Sequence, residues 1–165
     1  MDVFVGARMI PKRTVSIGKR SILFIPFFGI FYYLTGNILI NRGNKKSAIG
    51  TMDMAAKQIL EKNISVWVLP EGTRSKGRGV LPFKKGAFVT AIKAQVPVIP
   101  ISISTYKGVI DFKKWHAGTV IIEVGEKIET KNMNMENVND LKDQAYHVIK
   151  NKVAELDAEI KAKHL

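Results

Sequence analysis

With 165 residues, 46% of them hydrophobic and none a cysteine, the chain can bury a core, and it excludes disulfides, thiolate catalysis and Cys-ligated zinc. Its net charge of +12 is uneven: residues 1–114 carry 19 Lys/Arg against 5 Asp/Glu (+14), and residues 115–165 carry 7 against 9 (−2). A positive field in the body of a domain favours polyanions, whether nucleic acid, anionic lipid headgroups or phosphorylated substrates, and composition does not choose among them.

In chain order, Met1-Asp2-Val3-Phe4 lacks the basic-then-apolar layout of a secretory signal. A first strand is expected over residues 14–17. Arg20 and Arg42 then bracket 21 uncharged residues, a run long enough to span a bilayer but interrupted by Pro26, Gly29 and the turn Thr35-Gly36-Asn37. A helix over 22–34 followed by a strand over 37–40 fits better. That helix is apolar nearly all round. It is either wholly buried or lies in a membrane interface; the interfacial reading is favoured because one small domain can hide few helices on every side. Phe24, Phe27, Phe28 and Phe31 would then contact lipid, with Lys19 and Arg20 near headgroups.

Residues 45–62 space Ile49, Met52, Ala56 and Leu60 at helical steps, predicting a helix with one apolar face. A strand over 64–69, a short helix over 86–94, strands over 98–103 and 119–124, and a helix over 138–161 follow. The last helix places Leu141, Ala145, Val148, Ile149, Val153 and Leu156 on one face. This alternation predicts a single α/β domain over 1–165, with a mostly parallel central sheet flanked by helices.

The chemistry concentrates where the third strand ends. Residues 74–93 hold Arg74, Lys76, Arg78, Lys84, Lys85 and Lys93 with no acid, and Glu71 stands just ahead of them. Ligands of open α/β sheets bind beyond the carboxyl ends of strands. Gly72 lets backbone approach a ligand, Thr73 and Ser75 offer hydroxyls, and Arg74 offers a planar fork for two phosphate oxygens. Glu71 could orient an Arg or accept a bond from a substrate hydroxyl. A nucleic-acid module would interleave aromatics with these cations, but here the aromatics cluster apart from most of them. No Gly-x-Ser-x-Gly elbow and no P-loop occurs.

The blocks Val68-Leu69-Pro70-Glu71-Gly72-Thr73-Arg74-Ser75 and Leu81-Pro82-Phe83-Lys84-Lys85-Gly86-Ala87-Phe88 closely resemble those of the glycerolipid acyltransferase family, in particular its bacterial lysophosphatidic acid acyltransferases. Gly36-Asn37-Ile38-Leu39-Ile40-Asn41-Arg42 and Val96-Pro97-Val98-Ile99-Pro100 match two further blocks in the family's order. The resemblance implies transfer of a fatty acyl group from coenzyme A or acyl carrier protein to lysophosphatidic acid, with no metal and no nucleic acid. It also implies attachment to an anionic membrane surface, peripherally on the cytoplasmic face of the inner membrane. By the same resemblance Arg42, Arg74 and Lys84 would bind the acceptor's phosphate, with Glu71 and Gly72 shaping that pocket. Asp2 falls on the Asp that orients the family's catalytic His; that His would lie five positions earlier, ahead of Met1. None of His116, His147 and His164 has an Asp at the matching spacing. The expectation for the chain as it stands is therefore a binding site without its general base, and thus either an N-terminally shortened acyltransferase or a remnant that binds anionic lipid.

Overall fold

The computed structural model describes residues 10–41, 45–73, 75, 77–105 and 118–163. Strand β1 (Thr14–Lys19) is central, with β2 (Ile38–Ile40) on one side and β3 (Ser65–Trp67) on the other, both parallel to it. The registers pair Ile17 with Ile38 and Lys19 with Ile40, and Thr14 with Ser65 and Ser16 with Trp67. Parallel neighbours need long crossovers. From β2 to β3 the crossover is helix α2 (Lys45–Lys62), whose bounds match the sequence reading; α1 (Phe28–Leu34) lies between β1 and β2. Helix α3 (Gly86–Ala94) likewise forms where expected.

Strands β4 (Ile101–Ile103) and β5 (Ile122–Val124) form a separate antiparallel pair, extended by a bridge between Val98 and Ile128. The α/β class with its parallel sheet therefore holds, and this pair lies outside the parallel set. Pro100 shortens the expected 98–103 strand because it has no N–H to give a ladder; its carbonyl instead accepts from Gly125 N at 2.8 Å.

A second correction concerns the helix expected over 22–34. The chain forms a 3-10 turn at Arg20–Phe24, breaks, and resumes as α1. Pro26 cannot donate a helical hydrogen bond and disfavours helical backbone at Ile25, which is extended. Phe27 then adopts φ 60° and ψ −49°, and Phe28 N reaches Pro26 O at 2.6 Å, closing a γ-turn of the rare positive-φ kind.

The main core joins Phe83, Phe88 and Ile92 to Ile128 and to Val138, Leu141 and Ala145 of α4 (Val138–Lys163). Phe83 meets Tyr146 edge-on at 5.3 Å. Two helix faces differ from expectation. On α2 the buried positions are Thr51, Ala55 and Ala56, whose small side chains let α3 approach closely, whereas Ile49 and Leu60 are 52% and 61% exposed. On α4, Val148 is exposed, and Leu156 and Ile160 carry the burial further along the helix.

Candidate active site

A cavity of about 560 Å³ opens at the carboxyl edge of the parallel sheet. Ile17 of β1, Ile40 at the end of β2 and Val68 and Leu69 just past β3 form one wall; Ile49 and Met52 of α2 form another. Lys84, Lys85 and the first turn of α3 close the third side. The strands deliver Ile17 and Ile40 here because side chains alternate between faces, so these two point to the helix-covered side.

Two backbone contacts build the polar end. Gly72 N donates to Leu69 O at 3.1 Å, closing a turn with Pro70 in its second position, where a fixed φ is favoured. Gly72 has φ +68°, and a Cβ there would lie 3.4 Å from Lys84 Cγ, so any side chain would be strained and would crowd the Lys84 stem. Lys84 N in turn donates to Pro70 O at 2.7 Å, tying the turn to the residue after the buried Phe83. The result is a loop held to the core by one aromatic anchor, with the Lys84 and Lys85 ammonium groups exposed at its rim.

Electrostatically this end is positive on balance: Lys84 and Lys85 are exposed at the rim, with the carboxylate of Glu71 on the adjoining turn. Neither lysine has an ion-pair partner among the described residues, and the first turn of α3 holds no acid. Free amide N–H groups there add the positive end of the helix dipole. Lys93, at the far end of α3, is paired with Asp53 of α2. Hydrocarbon walls with cations at one end suit an amphiphile carrying an anionic head. The floor is set by packing: Thr90 Oγ1 donates to Gly86 O at 3.1 Å and lies 3.3 Å from Met52 Sδ, and a Cβ on Gly86 would come 3.2 Å from that sulfur.

Of the residues expected to form the site, Glu71, Gly72 and Lys84 are brought together: Gly72 and Lys84 line the cavity and Glu71 is partly buried on the same turn. Asp2, Arg42 and Arg74 lie outside the described residues, as do His116 and His164. His147 is exposed on α4, its ring 5.6 Å from that of Tyr146, and does not line the cavity. Sequence reasoning missed the cavity's apolar lining and the part played by Lys85. The signal that could have found the lining is the apolar residue near or just past each strand's carboxyl end (Ile17, Ile40, and Val68 with Leu69), read together with the first half of the following helix. Among the described residues, no group of three or more His, Asp or Glu is placed to hold a metal ion.

A family model described as Acyltransferase matches residues 1–104. The 1-acyl-sn-glycerol-3-phosphate acyltransferase of Haemophilus influenzae is 45% identical over 159 residues, covering 96% of this chain and 66% of the relative. The protein of the same name from Escherichia coli is 42% identical, covering 96% and 65%. The chain thus spans just under two thirds of the length of these relatives. Among solved structures, the lysophosphatidic acid acyltransferase PlsC of Thermotoga maritima superposes with a TM-score of 0.68 at 28% identity, over 88% of this chain and 58% of that one.

Proposed function

Because the chain belongs to the acyltransferase family, we propose that it serves the acylation of a glycerol phosphate lipid in phospholipid synthesis. The substrate is 1-acyl-sn-glycerol-3-phosphate, and the acyl donor is a thioester of coenzyme A or acyl carrier protein. The acceptor's free hydroxyl oxygen bonds to the thioester carbonyl carbon, the C–S bond breaks, the hydroxyl proton passes through the base to the departing thiolate, and phosphatidic acid forms. Lys84 holds the acceptor's phosphate, with Arg42 and Arg74 as further ligands by the family's pattern; Gly72 keeps the turn open to it, and Glu71 orients the cations. Asp2 matches the family's Asp that orients the proton-accepting imidazole. None of His116, His147 and His164 stands at the matching spacing, so these 165 residues supply the acceptor site and the orienting carboxylate but not that base. Relatives named for this reaction support the reading, and the observation that carries it is the cavity itself, cationic at one end and hydrocarbon-lined beyond.

Two measurements on the full chain test it. Titrating a short-chain lysophosphatidate, Lys84→Ala should weaken binding roughly 10- to 100-fold, the worth of one charge-assisted hydrogen bond, while binding of the matching monoacylglycerol stays the same. Equal weakening of both would refute the phosphate role. Thiol release from acyl-coenzyme A or acyl carrier protein, dependent on added lysophosphatidate, tests turnover directly.

A further inference from the structure

On the sheet face opposite the cavity, helix α1 is turned inside out relative to a helix that lives in water. Its apolar residues Ile30, Phe31 and Leu34 face solvent, Phe31 being 64% and Leu34 75% exposed, while Gly29 is buried and the Tyr32 hydroxyl points inward. At the γ-turn, Phe24 and Phe27 are 84% and 90% exposed, flanking Ile25 and Pro26. Contiguous apolar surface of this kind on a folded chain marks a contact site.

The shelf is also held in place. Tyr32 Oη lies 2.7 Å from Ser16 Oγ; Asn37 Oδ1 accepts from Ser16 N at 2.7 Å and from Ser16 Oγ at 2.9 Å; Asn37 Nδ2 donates to Tyr32 O at 3.2 Å. Gly18 lets Tyr32 sit directly on β1, since a Cβ there would fall 2.5 Å from the hydroxyl. The phenyl rings therefore project from a base fixed to the sheet.

Charge identifies the occupant. Lys19 and Arg20 are exposed immediately before the aromatic tip, and no Asp or Glu occurs in the sequence between Asp2 and Asp53. A second copy docked on this shelf would bring two basic rims together, whereas an anionic bilayer offers hydrocarbon to the rings and phosphates to the rim. No helix among the described residues is long and apolar enough to cross a membrane. We propose that Arg20–Leu34 is an interfacial anchor: Phe24 and Phe27 enter the boundary between headgroups and acyl chains, and Lys19 and Arg20 meet lipid phosphates. Lys19 is two residues past Ile17, roughly 7 Å along the strand, so the anchor holds the cavity's edge close to the surface where an amphiphilic substrate resides. The anchor rests on observations separate from the acyltransferase reading, and each can fail alone.

The test is co-sedimentation of the full chain with vesicles of phosphatidylcholine, alone or mixed with phosphatidylglycerol. The unmodified chain should sediment with the anionic vesicles. Replacing Phe24→Ser together with Phe27→Ser should lower partitioning roughly tenfold or more. Lys19→Gln with Arg20→Gln should remove the preference for phosphatidylglycerol, roughly tenfold at moderate salt, and leave binding to phosphatidylcholine in place. If the serine pair does not fold, Phe27→Gly replaces it, since glycine suits that backbone. The proposal is overturned if these variants partition like the unmodified chain. It is equally overturned if the unmodified chain dimerises without lipid through a contact that the same substitutions abolish.

Discussion

Phe27→Gly should make the protein more heat-stable while weakening its hold on lipid, a combination that a packing aromatic would never give. Phe27 has φ 60°, a region where a bulky residue costs about 1–3 kcal/mol of strain. Glycine relieves that strain but loses about 0.5–1 kcal/mol to the greater freedom of the unfolded chain. The ring is 90% exposed, so the burial lost in water is only about a tenth of the ~1.5–3 kcal/mol of a fully buried side chain. The balance centres near +1 kcal/mol, and for a domain of this length each kcal/mol moves Tm by about 2–4 °C. Thermal unfolding followed by far-UV circular dichroism should therefore show a rise of a few degrees. Phe27→Ala is the control: it removes the ring and keeps the unfavourable backbone, so its Tm should stay below that of the glycine variant. A fall of 2 °C or more for Phe27→Gly would mean that the ring is packed or the turn unstrained, and the reasoning would fail.

Two further outcomes follow from the same region. A Cβ on Gly29 would lie 2.5 Å from Leu23 O and 2.6 Å from Ile22 O, both backbone atoms that cannot swing aside. Gly29→Ala should thus destabilise by about 1–3 kcal/mol or more in denaturant titration, and a neutral result would show that the 3-10 turn and α1 are not packed together as described. Burial raises the Tyr32 pKa above its ordinary value of 10.0, partly offset by its hydrogen bond with the Ser16 side chain. The fold therefore favours the neutral hydroxyl. Its contribution to stability is complete below pH 10.0 and is lost as pH climbs through the raised folded value. Unfolding measured across that window should show a loss with rising pH that Tyr32→Phe reduces; an unchanged slope in the variant would place the titration elsewhere.

Where the sequence was legible, one period dominated. Helices α2 and α3 begin and end where the spacing said, because Gly, Asn and the charged flanks punctuate them. The failures have separate causes. Pro26 was visible, but its power to split a short apolar helix through the preceding Ile25 outweighed the continuous hydrophobicity of 22–34. The apolar spacing of Ile49 and Leu60 pointed to a core face, yet close approach of α2 to α3 selects small residues, and Thr51, Ala55 and Ala56 occupy that seam. Ile- and Val-rich runs mark strands without saying whether neighbours run parallel, so the antiparallel β4–β5 pair could not be told from the parallel set. For the site, the motif gave the polar rim, Gly72 and Lys84, while the apolar chamber depended on which strand ends and helix turns meet in space.

Strand β1 is a partition one residue thick. Ile17 looks into the cavity, while Ser16 and Gly18 on either side of it carry Tyr32 and the aromatic shelf. Because successive side chains alternate between faces, inserting or deleting a single residue in β1 would exchange what the two compartments receive. Hydroxyl and hydrogen would face the chamber, and a branched aliphatic would press on Tyr32. The strand is therefore intolerant of changes in length even where it tolerates changes in side chain, and its reading frame governs both surfaces together.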